Sequence, residues 1–355
     1  MSRFRQFLVL AVGLLLVGAA LYLADLGRPR PTPMAEPEEL KGLAWLPAAA
    51  GLAAGVDVAE LRQQKWLLEM ARRATEGVRE ESDYQAFVQT TGFDYRRDLD
   101  RLWVGLFGPR RHPLVAGVAE GRFASARIQD YARRRGARLD HHQGIEIYYL
   151  ATQPQKSKRP ARGFAFAFLD DTHLAFASDV ERVALVIDSW LGKTPSVASD
   201  ESRRAEVERL AAGRQAWAVN DLEKWKPAVF RQQQMQQTLE DLVVQLAVGI
   251  GVSEQGVELA GEARCREPRQ AERLRSNLNI LILVGRVALG RQGDETAQAL
   301  GEALSNLELT QEGDTLRARV LLPPETLALL LRLPPVRKAA VESSPRGSAG
   351  KAPRN

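Results

Sequence analysis

Apolar residues recur along this chain in three patterns, and each predicts a different kind of element. The first is an unbroken run from Phe7 to Leu23, led by Arg3 and Arg5 and followed by Asp25, Arg28 and Arg30. A helix needs roughly 17–25 apolar residues to cross a bilayer core, whereas the apolar part of a cleaved signal is about 7–15 long. The run therefore predicts a transmembrane anchor at residues 7–26, behind a short basic N-terminus at residues 1–6.

The second pattern is alternation, which predicts strands. Leu102–Phe107 and Leu114–Ala119 are short apolar runs bounded by Gly and Pro and suit paired strands. Phe164, Phe166 and Phe168 alternate with Ala165 and Ala167, Asp170 and Asp171 supply a turn, and His173–Ala177 return. Near the end, Leu307 and Leu309 alternate with polar residues, Glu312-Gly313-Asp314 turn, and Leu316, Ala318, Val320 and Leu322 alternate again before Pro323 and Pro324 open a Leu-rich helix.

The third pattern, recurrence at three and four residues, predicts helices. Val58, Leu61, Leu68 and Ala71 share a face behind the cap Asp57, giving a helix over 58–74 with Glu60 completing the cap. Ile128, Tyr131 and Ala132 give a helix over 125–135. Ser178 and Glu181 read as a capping box before Val180, Val183, Ala184, Ile187, Trp190 and Leu191. A Gln-rich helix is expected around 228–248, with Met235, Leu239, Leu242, Val243 and Leu246 on its apolar side and Gln232, Gln233, Gln236 and Gln237 opposite; a helix lying on its own sheet is the favoured reading and a partner-helix surface the alternative. The run Leu278–Leu289 is too short for a second span and carries Arg286, so it reads as a core helix.

These elements define an α+β fold, helices packed on an antiparallel sheet. The hairpin-plus-helix unit occurs twice, and so does a strand leading into a helix: Leu114–Phe123 and Gly256–Arg266 each precede one and each carry an Ala-Gly-x-Ala tetrad, Ala116–Ala119 and Ala260–Ala263. An internal duplication is the expectation, testable by strand order. Residues 27–42, with Pro29, Pro31, Pro33 and Pro37, are expected to form an extended stalk. Residues 43–195 and 196–334 form the two α+β halves, and residues 335–355 a disordered basic tail.

Small residues three and one before a cut are needed for signal cleavage, and Tyr22 before Ala24 and Pro33 before Ala35 violate that. Gly18 and Ala20 satisfy it only inside the apolar run, so the anchor is expected to stay uncleaved. The only cysteine, Cys265, rules out a lipid anchor after the run, an internal disulfide and a thiol cluster for a metal. Lys and Arg flank the run on both sides. The short basic lead favours the signal-anchor orientation, with an inner-membrane single pass and the folded part in the periplasm.

Charge changes little in this picture. Lys+Arg 49 and Asp+Glu 44 leave a formal charge of +5, but the signs are interspersed, so no nucleic-acid partner is expected. The candidate chemistry is thin. Asp140, His141 and His142, with Asp170, Asp171 and His173, are the best metal or acid-base candidates. However, adjacent strand residues point to opposite faces, and the Asp pair suits a turn. His112 is the fourth histidine. There is no Gly-x-Ser-x-Gly elbow, and Gly117, Gly121 and Gly136 lack phosphate-loop spacing. Cys265 shares a strand face with Val257, Leu259 and Ala263 and reads as buried. Glu80 and Glu81, and Asp98 and Asp100, read as solvated carboxylates. No catalytic, cofactor or metal residue is assigned.

The anchor, the Pro-rich stalk, Thr91–Asp94 followed by Asp98-Leu99-Asp100, and the Gly121–Phe123 turn together resemble uncharacterised bacterial extracytoplasmic proteins with one N-terminal membrane anchor. The resemblance spans residues 1–195 and implies location and architecture, with no catalytic residues to carry over. The expected function is an anchored binding or scaffolding module, held by residues 7–26, with protein partners or a place in a membrane complex. The alternative is a hydrolase or other enzyme using a His/Asp site. A converging pocket would favour the enzyme and a broad apolar patch the binding module.

Overall fold

The computed structural model describes residues 38–68, 82–108, 113–151, 163–224, 242–291 and 295–331. The anchor, most of the stalk and the tail lie outside them, as do Glu80, Glu81 and His112. Among the described residues no helix is long and apolar enough to cross a membrane.

Among the described residues twelve strands form one antiparallel sheet. In chain order they are β1 (Leu52–Asp57), β2 (Leu99–Phe107), β3 (Leu114–Gly121), β4 (Arg138–His142), β5 (Ile145–Ala151), β6 (Gly163–Phe168), β7 (His173–Ala177), β8 (Ala216–Asp221), β9 (Val243–Ser253), β10 (Gly256–Cys265), β11 (Glu308–Glu312) and β12 (Thr315–Leu322). Their spatial order is β11-β12-β10-β9-β8-β1-β2-β3-β7-β6-β5-β4. Reading outward from the central β1–β8 pair, each side is a three-strand meander followed by a hairpin whose second strand pairs with the third meander strand. The first side adds the β4–β5 hairpin at its edge.

The match extends to register. Ala54 faces Ala218 across the central pair. On the first side Val104 faces Gly117 and Gly105 faces Ala116; on the second Val248 faces Gly261 and Gly249 faces Ala260. The two Ala-Gly-x-Ala tetrads therefore occupy equivalent positions on β3 and β10. Asp57 and Asp221 close the two central strands, Asp57 capping the next helix through Glu60 N and Asp221 accepting from Glu223 N and Lys224 N.

Among the described residues the helices include α1 (Glu38–Trp45), α2 (Val58–Leu61), α3 (Ser82–Thr91), α4 (Tyr95–Asp98), α5 (Ser125–Arg134), α6 (Val180–Trp190), α7 (Glu201–Ala211), α8 (Pro268–Gly290), α9 (Glu295–Ser305) and α10 (Pro324–Leu331). On the front face α1, α6 and α7 build the largest core. Leu43, Leu46, Val183, Val186, Ile187, Val207 and Leu210 pack there on Trp103, Val118, Ala165, Ala175 and Trp217. Gly42 permits the closest approach: a Cβ there would lie 2.0 Å from the Trp103 indole. On the back face α5 packs through Ile128 and Ala132 on the first half, and α8 through Ala271 and Leu274 on the second.

Several expected elements come out differently. The helix over 58–74 is interrupted: Val58–Leu61 forms one short piece, residues 62–64 leave the helix, and helix resumes over 65–68, while the Arg62 guanidinium donates to the Leu99 carbonyl and the Asp100 carboxylate at 2.7 and 2.8 Å. Residues 69–74 of that reading lie outside the described part. Asp179, not Ser178, caps α6, accepting from Arg182 N; the Ser178 hydroxyl instead accepts from Val115 N and ties the helix start to β3. Glu38–Trp45 is helical where the stalk reading ran to residue 42. The Gln-rich helix does not reach 248, since Val243–Ser253 is strand β9, flanked by β8 and β10, with Val243, Gln245 and Ala247 alternating inward. Residues 225–241 are not described.

Candidate functional site

The histidines do not converge. His142, ending β4, meets Asp188 of α6 through Nε2 at 2.8 Å, while His141 is exposed on the other face. His173 opens β7 beside Asp170, 2.9 Å away, and meets Trp45 edge-on and Trp190 at a tilt, at centroid distances of 5.0 and 4.9 Å. Burial opposes ionisation of Asp170, but the N–H groups of Thr172 and His173 and the His173 ring outweigh it and hold the pKa below its ordinary value. These are a turn and a packing contact joining β6, β7, α1 and α6. No group of three His, Cys, Asp or Glu side chains able to hold a metal ion is found among the described residues. Cys265 is buried, and burial pushes its thiol up to about 11, too high for a nucleophile at neutral pH.

Asp98 and Asp100 are not solvated carboxylates. Asp98 is buried, accepts from Asp94 N at 3.0 Å and pairs with Arg97 at 2.7 Å, and that pairing lowers its pKa. Asp100 pairs with Arg62. Together they pin the short α4 turn and the start of β2, a structural role that their adjacency in the sequence did not reveal.

Two larger features were not read from the sequence. The first is a charged ladder on the front face of the second half. Glu262 of β10 is clamped by Arg209 of α7 at 2.8 Å and Arg317 of β12 at 3.2 Å; Arg317 also pairs with Glu312. One rung over, Glu258 holds Arg214 at 2.8 Å and Arg319 at 2.6 Å. Beside them Gln245 donates to Glu206 and accepts from Ser202 and Arg264. Burial pushes Glu206 up to about 7, with Arg264 opposing and Glu262 adding to the rise.

The second is helix α8, expected as core. Its inner side, with Ala271, Leu274 and Leu278, does pack on the sheet. Its outer side carries Ile280, Leu283, Val284 and Val287 at 60%, 61%, 59% and 50% exposure, with Leu281 beside them. These positions run i, i+3, i+4, i+7, the spacing of one helical stripe. The helix thus has two opposite apolar sides, and periodicity alone could not say which one the sheet takes. Two shallow depressions of about 570 and 580 Å³ flank it, lined by Arg269, Glu272 and Arg273 at one end and by Arg286, Gln298 and Glu302 at the other.

A single broad antiparallel sheet clad in helices defines the class: an α+β protein. The chain belongs to the family described as a protein of unknown function, DUF3352, which matches residues 8–281. Among solved structures the chain shows similarity to crystal forms of TP0453. Form I has a TM-score of 0.40 and 11% identity, covering 82% of this chain and 96% of that one. Form III gives 0.42, 11%, 82% and 98%, and form IV gives 0.40, 12%, 82% and 96%. No curated protein matches the chain.

Proposed function

We propose that this protein is a binding or scaffolding module, tethered to the inner membrane by residues 7–26, with its sheet domain on the periplasmic side. The observation that carries the binding role is the exposed stripe on α8. An apolar stripe of this size on a soluble surface marks an interaction site, whereas a catalytic site needs polar groups converging on a pocket. The tether rests on the apolar run from Phe7 to Leu23 and its basic lead. Service as a subunit of a membrane complex is the same reading with a permanent partner.

Alkaline phosphatase fused after Asn355 tests the location. Activity in cells whose membranes retain the fusion after a carbonate wash is the expected result; a silent fusion present in those membranes overturns it.

We also infer that the two halves descend from one duplicated unit. The support is the shared strand order and the Val-Gly/Ala-Gly register on both sides of the Ala54–Ala218 pair. A chain of residues 38–195 has a bare β1 edge, and it is expected to dimerise by pairing β1 with β1 about Ala54. A folded first half that stays monomeric at high concentration in light scattering counts against this origin.

A further inference from the structure

The outward side of α8 is more than an apolar stripe, because of what brackets it. At 100° per residue, Arg269 and Arg273 project along the same line as Ile280, Leu283, Val284 and Val287, and Arg291 follows at the far end. Arg275 and Arg286 sit to one flank. All five arginines are exposed, and none forms an ion pair with another described residue. That sets them apart from Arg62, Arg203, Arg209, Arg214, Arg317 and Arg319, each held by a carboxylate. Glu272 is the sole carboxylate on the helix.

We propose that the outer side of α8 docks on the surface of an anionic lipid bilayer, with Ile280, Leu283, Val284 and Val287 among the acyl chains near the headgroups and the arginines on lipid phosphates. This deepens the anchored-module reading and rests on it. An apolar stripe with arginines at both ends and almost no acid fits an interfacial helix, which lies in the membrane plane and gains from both apolar burial and anionic headgroups. A partner protein's apolar helix would match the stripe but not five unpaired guanidinium groups. The amount of chain outside the described residues also selects the bilayer. Between Leu23 and the start of α1 at Glu38 an extended chain covers at most about 50 Å. A domain tethered that closely meets the bilayer at high effective concentration. The helix is too charged to span, so its contact with lipid is superficial.

The test uses the full chain reconstituted into vesicles, so that the anchor is present in every arm. A spin label is placed at Leu283→Cys, with Leu185→Cys on α6, which is exposed on the front side of the domain, as the reference. In vesicles of phosphatidylglycerol and phosphatidylcholine the label at 283 should become accessible to dissolved oxygen and shielded from a water-soluble nickel relaxer, while the label at 185 stays in water. In pure phosphatidylcholine the shift should weaken. Each of Arg273→Gln, Arg286→Gln and Arg291→Gln should lower the docked-to-free ratio about fivefold, and high salt should act in the same direction. Ile280→Glu with Val287→Glu should abolish docking without unfolding the domain, because both side chains are already in water.

A label at 283 that remains in water in anionic vesicles overturns the proposal. So does one that becomes immobile yet closed to both relaxers, since that is protein contact. If either result comes with an active phosphatase fusion, the anchored module stands and only the lipid docking falls; a silent fusion takes down the parent reading itself.

Discussion

Val118 and Glu262 hold matching places in the two halves of the sheet, on the third strand of each meander, yet one lies in an apolar core and the other in an ion ladder. On the first half α1 and α6 seal the front face, so Val118 is fully buried beside Ala175, Ala177 and Trp103. On the second half the strand that matches β7 carries Arg317 and Arg319 where β7 carries Ala175 and Ala177. The helix α7 reaches only part of this face, and Arg209 and Arg317 stay 45% and 38% exposed. One backbone plan thus tolerates either chemistry, and the decisive factor is whether a helix closes over the strand. Under the complete lid the Val118 site is apolar; where the lid is partial, Arg209 and Arg317 pair at its margin with their ends in water, while Arg214 and Arg319 pair with Glu258 deeper in, at 12% and 11% exposure.

The largest effect should come from moving the second half's chemistry into the first. Val118→Glu places a carboxylate in a sealed apolar core with no cation near, and a loss of about 4 kcal/mol is expected in denaturant titration of the detergent-solubilised protein. A loss below about 1 kcal/mol would show that the front face of the first half admits water, and the contrast between halves would fail.

Glu206 gives the next effect and fixes its pH window. Its folded pKa of about 7 exceeds its ordinary value of 4.5, so between those limits the folded protein keeps a proton that the unfolded chain has released. Stability therefore falls as pH rises from 4.5 to about 7 and is flat above. Glu206→Gln removes the penalty: it should match the parent at pH 4 and be more stable by roughly 3 kcal/mol at pH 8. An unchanged pH profile in thermal melts would place Glu206 in contact with water.

Local pattern carried most of the fold. The hairpin at Gly163–Ala177, the closing hairpin, and the strands at 102–107 and 114–119 were legible because alternation and turn chemistry act within a few residues. The two tetrads were legible too, although only the register shows that both fall at the same distance from the centre. The misread elements share a cause. Val243–Val248 has apolar residues at both helical and alternating spacings, and its strand state depends on β8 and β10, remote in sequence. The α8 run is apolar on two sides, and which side faces the sheet is decided by Ala271 and Leu274, one turn and more upstream of the run. The ladder was invisible because Glu262, Arg209 and Arg317 lie on three separate elements, each of which reads alone as ordinary solvated charge.

The smallest effect should be the mirror of the first. Glu262→Val puts the first half's residue type into the second, leaving Arg209 half in water and Arg317 still paired with Glu312. Ion pairs with one partner this exposed contribute little, and the new side chain gains packing on a buried strand, so the change should be within about 1 kcal/mol. The informative readout is the neighbour. Glu262 is among the charges that raise the Glu206 pKa, so its loss should draw the midpoint down from about 7 and narrow the pH range over which stability declines. A large loss of stability would mean that Arg209 and Arg317 depend on Glu262 to stay soluble at the sheet margin. The second half would then be sealed like the first, with ion pairs in place of hydrocarbon.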